Sequence, residues 1–309
     1  MEFFRTLQQH YVNLYLGYVR ITALTEAGNR GQWTSAAELG VNLAPTSTNL
    51  GQWSPVIPFP LVPAGGFLQP NGKVLTFSSF KVNAFGGANG FTITATFDPS
   101  TNTVSQQTVS NTGHDMFCPG ISIDVNGRAI VTGGDDASKT SIYDPSSNTW
   151  VTGAAMKITR GYQASTTLSN GQVFTIGGSW SGGTGGKNGE IYNPSSNVWS
   201  LLSGAPVAPM LTADSAGVYR SDNHGWLFGW KNQYVFQAGP SKAMNWYGTS
   251  GSGSQASAGN RAAATDSMCG IAVMYDAVAG KVSQVNSLLS TNAHLDRYSP
   301  LVVPQTIRM

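Results

Sequence analysis

The clearest structural signal in the chain is Asn126-Gly127-Arg128-Ala129-Ile130-Val131-Thr132-Gly133-Gly134, followed by Tyr143-Asp144-Pro145-Ser146-Ser147-Asn148-Thr149-Trp150. An Asn-Gly step before an apolar run is a strong hairpin signal, because both turn residues must tolerate positive φ. The Gly-Gly pair after the run lets the strand end pack tightly beside its neighbours. The first phrase therefore predicts a turn followed by a strand.

Both phrases recur along the chain. Residues 71–77 and 170–178 repeat the turn and strand, and residues 97–102 and 192–199 repeat the Asp/Asn-Pro step. These steps recur after 46 and 49 residues. This period, with an aromatic residue before the step and Trp after it in two copies, matches the kelch repeat of about 50 residues, in which each repeat is one four-stranded propeller blade.

Weaker copies extend the array. One covers residues 211–246, and another begins at Cys269. Residues 281–290 replace the strand, Gly-Gly pair and loop expected there, so we expect no clear strand in that stretch and an unpaired edge beside it. We predict an all-β, incomplete kelch-type β-propeller of about four to five blades.

Composition excludes several classes of partner. Charged residues make up 10% of the chain, against about 25% in an average soluble domain. The net charge is +2, without a long run of either sign, so we expect no nucleic-acid partner. No stretch reaches the roughly 18 apolar residues that a membrane helix needs, so we expect no membrane association.

The two cysteines, Cys118 and Cys269, cannot build a disulfide scaffold. We expect Cys269 to be a small buried residue on a strand, and a single bridge between the two cysteines is the alternative. The first ten residues lack the basic start, apolar run and cleavage site of a signal peptide.

Two further segments, residues 114–120 (His-Asp-Met-Phe-Cys-Pro-Gly) and 160–163 (Arg-Gly-Tyr-Gln), the second followed by Gly-Gly-Ser-Trp at 177–180, closely resemble the galactose oxidase family of copper radical oxidases. The resemblance runs from about Tyr18 to His294. It implies a seven-bladed propeller, truncated here at both ends, and a secreted, extracellular protein.

The resemblance also implies the site residues. Tyr162 would bind copper through its phenolate, Cys118 would be joined to it by a thioether bond, and Trp180 would stack on the tyrosyl radical. The substrate residues would be Arg220, Phe85 and Tyr219. Ala216 stands where galactose oxidase has a glutamine, and losing a polar contact to a hydroxyl can change specificity strongly.

The remaining copper ligands of the family have no match. The 309 residues contain no Tyr-His dipeptide. The four histidines are not matched to ligands: His10 precedes Tyr11, and we expect His114, His224 and His294 to be hydrogen-bonded structural residues. Copper(II) prefers nitrogen and oxygen ligands in a tetragonal shell. We therefore expect weak copper binding and impaired activity.

The predicted organisation has three parts. Residues 1–17 are unassigned, residues 18–45 resemble the end of a discoidin-like carbohydrate-binding β-sandwich, and residues 46–309 form the partial propeller. Bare faces on the terminal blades predict self-association.

The function implied by the resemblance is oxidation of a primary alcohol, such as C6 of D-galactose, by O2 to an aldehyde and H2O2. One alternative is a non-catalytic propeller fragment that binds carbohydrate or protein. Another is a truncated gene product that does not accumulate.

Overall fold

A computed structural model describes residues 55–213, 220–261, 265–268, 270–285 and 299–302. Their regular secondary structure is almost entirely β-strand, with two short 3-10 helices at Ala208–Met210 and Lys231–Gln233. None of the described helices is long and apolar enough to cross a bilayer.

The described strands form five antiparallel sheets that follow one another along the chain. Each of the first four sheets is a four-stranded meander, and the fifth has three strands. In chain order the strands are β1 Gly65–Leu68, β2 Val74–Phe77, β3 Thr92–Asp98, β4 Thr103–Val109, β5 Gly120–Ile123, β6 Ala129–Thr132, β7 Thr140–Asp144, β8 Thr149–Thr152, β9 Ala164–Thr167, β10 Val173–Ile176, β11 Glu190–Asn193, β12 Val198–Leu201, β13 Trp226–Gly229, β14 Tyr234–Gly239, β15 Ala243–Gly248, β16 Ser254–Asn260, β17 Ile271–Asp276, β18 Lys281–Val285 and β19 Ser299–Val302. The prediction of an incomplete kelch-type propeller is confirmed.

The Asn-Gly turns are hairpins of a different type from the predicted one. In the second sheet the backbone N–H of Gly127 donates to the Asp124 carbonyl at 2.9 Å, and that of Asp124 donates to the Arg128 carbonyl at 2.8 Å. Gly127 takes a φ of 76°, whereas Asn126 is not among the residues of positive φ. The loop is therefore a three-residue hairpin in which only glycine needs the left-handed region.

The Asp-Pro phrase builds the outer hairpin of the blade. The Asp144 carboxylate accepts the backbone N–H of Ser146 at 2.9 Å, and the Tyr143 hydroxyl donates to Asn148 Oδ1 at 2.9 Å. Trp150 packs on Tyr143 with ring centroids 5.0 Å apart. The third sheet repeats the hydroxyl-to-Asn bond and the ring contact through Tyr192, Asn197 and Trp199.

The core lies between consecutive sheets. Each of four buried apolar clusters joins one sheet to the next, and each large side chain buried there contributes about 1.5–3 kcal/mol. Strand β5 contacts β9, and β9 contacts β13. The first strands of these three sheets therefore lie side by side. The side of the sheets on which they lie is called the inner edge.

The fifth sheet corrects one prediction. Residues 281–290 were expected to offer no clear strand, yet Lys281–Val285 pairs with β17 on one side and with β19 on the other. Its register places Val282 opposite Met274, and Val282 is fully buried. Alternation of apolar and polar residues suffices here without a Gly-Gly pair.

Several predictions fall outside the described residues. They include both proposed N-terminal segments, 1–17 and 18–45, and the individual residues Tyr219, Ala216, Cys269, His10 and His294.

Candidate active site

Three residues at the inner edge occupy the same place in successive sheets. Cys118, Tyr162 and His224 each lie two residues before the first strand of their sheet, β5, β9 or β13. Their φ values are 59°, 62° and 54°. A left-handed conformation is uncommon for residues other than glycine, and such residues concentrate at functional sites.

Backbone hydrogen bonds link these three residues directly. The N–H of Tyr162 donates to the Cys118 carbonyl at 2.8 Å, and the N–H of His224 donates to the Tyr162 carbonyl at 2.9 Å. The left-handed turn at each position therefore presents one side chain beside the next.

The Cys118 thiol lies against the Tyr162 phenol. Burial raises the pKa of Cys118 to about 12, and a hydrogen bond from the Tyr162 side chain acts in the opposite direction. Nearby carboxylates of Asp135 and Asp115 raise the thiol pKa further. Among the described residues Cys118 is a free cysteine, and its raised pKa favours the protonated thiol.

Trp180 contacts the same tyrosine from the connection between β10 and β11. Its ring meets Tyr162 edge-on, with centroids 5.2 Å apart and planes at 86°. The indole is 48% exposed. The three residues expected to form the redox centre therefore come together, but Trp180 meets the phenol ring edge-on instead of stacking on it as predicted.

His224 is a further ring beside Tyr162 that sequence reasoning assigned only a structural role. Its imidazole lies 4.8 Å from the Tyr162 ring centroid at 70°, although more than a third of the residue is exposed. Desolvation by partial burial lowers the pKa of His224, and the charge of Arg220 lowers it further. Its position two residues before a strand was the signal that could have identified it.

A buried ion pair fixes the Trp180 loop. The Arg160 guanidinium donates to Glu190 Oε2 at 3.0 and 3.1 Å and to the carbonyls of Gly177 and Lys187 at 2.8 and 3.0 Å. Both ends of the loop therefore attach to the segment that carries Tyr162.

Asp222 ties the same loop to the segment that carries His224. Its carboxylate accepts the Ser179 backbone N–H at 2.8 Å and the Ser179 hydroxyl at 2.7 Å. Its carbonyl accepts the Gly178 N–H at 3.2 Å. Trp180 and His224, which follow Ser179 and Asp222 closely in sequence, are thus held relative to each other.

The predicted substrate residues border this cluster. Phe85 stacks on Phe117 with centroids 4.4 Å apart and planes at 8°, and Phe117 immediately precedes Cys118. Phe85 is 47% exposed, as an aromatic wall would be. Arg220 is partly buried and close enough to His224 for its charge to act there.

Comparison with known proteins decides the relationship. A family model for the kelch motif matches residues 160–206. Two curated galactose oxidases of Gibberella zeae are 56% identical over 295 residues, which cover 90% of this chain. Over most of its length the chain is similar to galactose oxidase.

The match covers part of these galactose oxidases. The chain spans 43% of the length of the curated relatives. A solved structure of a fungal alcohol oxidase of the AA5 family in complex with copper superimposes with a TM-score of 0.72 and 41% identity. That alignment covers 84% of this chain and 57% of the other.

His114 has no free donor for a metal. One ring nitrogen contacts Ser141 Oγ at 2.9 Å and the other contacts the Gly133 carbonyl at 2.8 Å, inside the protein. Desolvation lowers the pKa of His114 to about 4. The prediction that this histidine is structural is confirmed.

Copper needs several nitrogen and oxygen donors. Tyr162 offers one phenol oxygen, and His224 places one imidazole beside it. Across the described ranges there is no group of three or more His, Cys, Asp and Glu side chains that could hold a metal ion.

Asp135 is a carboxylate at the rim of the site that sequence reasoning did not single out. Burial and the charges of Asp115 and Asp136 raise its pKa to about 6, and the Gly86 backbone N–H lowers it by hydrogen bonding. Oδ2 is buried without a hydrogen-bond partner. The Asp135 backbone N–H donates to the Phe117 carbonyl at 3.0 Å, so the residue connects the loop after Phe85 to the segment before Cys118.

Proposed function

We propose that this chain carries the cysteine–tyrosine half of a copper radical oxidase site for primary alcohols of the galactose C6 type. The observation that carries the proposal is the contact between the Cys118 thiol and the Tyr162 phenol, with Trp180 against the same ring. In the proposed reaction RCH2OH and O2 give RCHO and H2O2, so two electrons and two protons leave the alcohol. Copper, when bound, supplies a one-electron partner for such chemistry.

The residues of this chain would divide the work as follows. Tyr162 would hold one oxidising equivalent, and a thioether bond to Cys118 would lower its oxidation potential. Trp180 would restrict access to the phenol from one side. The Arg220 guanidinium would donate to vicinal hydroxyls, a geometry that suits its fork of donors. Phe85, and Tyr219 outside the described residues, would line the substrate face.

Thioether formation joins Cys118 Sγ to the ring carbon beside the Tyr162 hydroxyl. The S–H and C–H bonds break, and two electrons and two protons pass to O2 to give H2O2. We expect this product only at low yield in the isolated chain, because the described residues offer an incomplete donor set for copper.

Copper and oxygen exposure followed by mass spectrometry tests the proposal. After disulfide reduction, a cross-linked peptide containing Cys118 and Tyr162 should appear two hydrogens lighter than the sum of its parts. Cys118→Ser and Tyr162→Phe should abolish it. Absence of this peptide after prolonged exposure would contradict the proposal. Complete conversion with rapid galactose turnover would contradict the expected deficit of ligands.

One observation favours a second candidate, a non-catalytic carbohydrate-binding propeller. Phe85 and Trp180 present half-exposed aromatic surfaces on the rim, and aromatic faces beside an arginine suit sugar rings. Calorimetric titration with galactose separates the two functions: binding without any cross-linked peptide or peroxide would favour the non-catalytic one.

A further inference from the structure

We propose that His224, set in place by Asp222, is a positioning residue that keeps the Tyr162 ring against the Cys118 thiol. Its importance for catalysis rests on the proposed function, whereas the positioning itself does not.

His224 contacts Tyr162 through both its backbone and its imidazole ring. Its backbone N–H donates to the Tyr162 carbonyl at 2.9 Å, and its ring contacts the phenol ring at 4.8 Å and 70°. Edge-to-face geometry is favourable because the positive edge of one ring meets the negative face of the other. Both the main chain and the side chain of Tyr162 are therefore fixed by one residue.

The segment leading to His224 is firmly anchored. Ser221, Asp222 and Asn223 are 6%, 1% and 3% exposed. The N–H of Asn223 donates to the Arg220 carbonyl at 3.1 Å. Because the backbone before it is held in place, the His224 side chain starts from a fixed position, as a positioning role requires.

Asp222 connects the two segments that carry the rings beside Tyr162. Its carboxylate holds Ser179 through two hydrogen bonds, and Trp180 is the next residue. His224 comes from the fourth sheet and Trp180 from the third. Tyr162 thus lies between rings from two sheets, and one buried carboxylate joins the segments that carry them.

The position of Tyr162 controls access to Cys118. The thiol is only partly exposed and is hydrogen-bonded to the phenol. If the imidazole is removed, the phenol ring gains freedom on one side and the thiol opens more often to reagents. This consequence needs no metal, so it is measurable in the copper-free protein.

The test is the rate of Cys118 alkylation by iodoacetamide in copper-free protein carrying Cys269→Ser. His224→Ala should raise the rate about three- to tenfold, the factor that loss of one edge-to-face contact corresponds to. His224→Phe, which keeps a ring, should stay within about twofold of the parent. Lys231→Ala, an exposed site near β13, is the matched control and should leave the rate unchanged.

Two results would overturn the proposal: a parental rate in His224→Ala, or equally fast labelling of His224→Ala and His224→Phe. If His224→Ala proves unfolded by circular dichroism, Asp222→Asn supplies the second variant, and a parental rate there would also overturn it. Failure of the proposed function looks different, because the alkylation difference would persist while no cross-linked peptide formed in the copper-loaded parent.

Discussion

Arg160 and Glu190 form an ion pair whose two side chains are both 0% exposed, with Nη2 3.0 Å from Oε2. Desolvation lowers the pKa of Arg160, and the charge of Glu190 acts in the opposite direction. The pair also connects the strand that follows the Trp180 loop to the segment before Tyr162. The ion pair therefore helps to hold the site in place and is also part of the buried interior.

Glu190→Gln should destabilise the protein by about 3–5 kcal/mol, because it leaves the guanidinium charge buried without a compensating carboxylate. Urea unfolding followed by tryptophan fluorescence measures this. Lys73→Met is the control, since it breaks a pair with Asp98 in which the lysine side chain is 43% exposed; a much smaller loss is expected there, because solvent screens an exposed pair. Similar losses in both variants would contradict the argument.

Gly134→Ala should be strongly destabilising, by roughly 3 kcal/mol or more, whereas Gly183→Ala should cost about 1 kcal/mol. Both glycines have positive φ, 98° and 88°. An added Cβ at Gly134 would collide with the Phe117 carbonyl oxygen, whereas one at Gly183 meets nothing within 4 Å. Thermal unfolding of the two variants separates the cost of the collision from the cost of backbone strain. Equal melting temperatures would contradict the predicted cost of the collision.

His114 should make stability fall as the pH is lowered. Its pKa is about 4 in the folded state and about 6.5 when unfolded. The unfolded state therefore binds the extra proton between these values, and stability decreases from pH 6.5 to pH 4 by on the order of 3 kcal/mol. In His114→Gln this part of the slope should disappear; a wild-type profile in that variant would contradict the assignment.

Asp135, in contrast to His114, should make stability fall as the pH is raised. Its pKa is about 6 in the folded state against an ordinary value of 3.8, so the folded state holds the extra proton and the stabilising contribution of Asp135 is lost as pH rises through this window. Asp135→Asn should raise the melting temperature by roughly 2–4 °C at pH 8 and change it little at pH 3.5. An equal shift at both pH values would show that the charge is not responsible.

The repeated phrases allowed most of the fold to be predicted. The Asp-Pro-Ser-Ser-Asn turn, the buried Tyr143 and the Trp150 that packs on it follow directly from local sequence. The Asn-Gly turn was placed correctly but assigned the wrong geometry, because the same dipeptide serves several hairpin types.

The candidate site was only partly predictable. Cys118 and Tyr162 stand out because they occur in recognisable phrases at equivalent repeat positions. His224 was missed as a ring partner because it lies in the weaker repeat copy over residues 211–246, which lacks the Gly-Gly and Asp-Pro phrases that mark the equivalent positions in the earlier copies. The Arg160–Glu190 pair joins a loop to a strand, and no local pattern reports such a distant pairing.

The left-handed residue two positions before β5, β9 and β13 has an evolutionary consequence. Duplication of a blade also duplicates this backbone position, which already directs one side chain toward the neighbouring copy. Changing a single codon there exchanges a thiol, a phenol or an imidazole without rebuilding the strand behind it. Geometry in this architecture can be inherited before the chemistry that uses it.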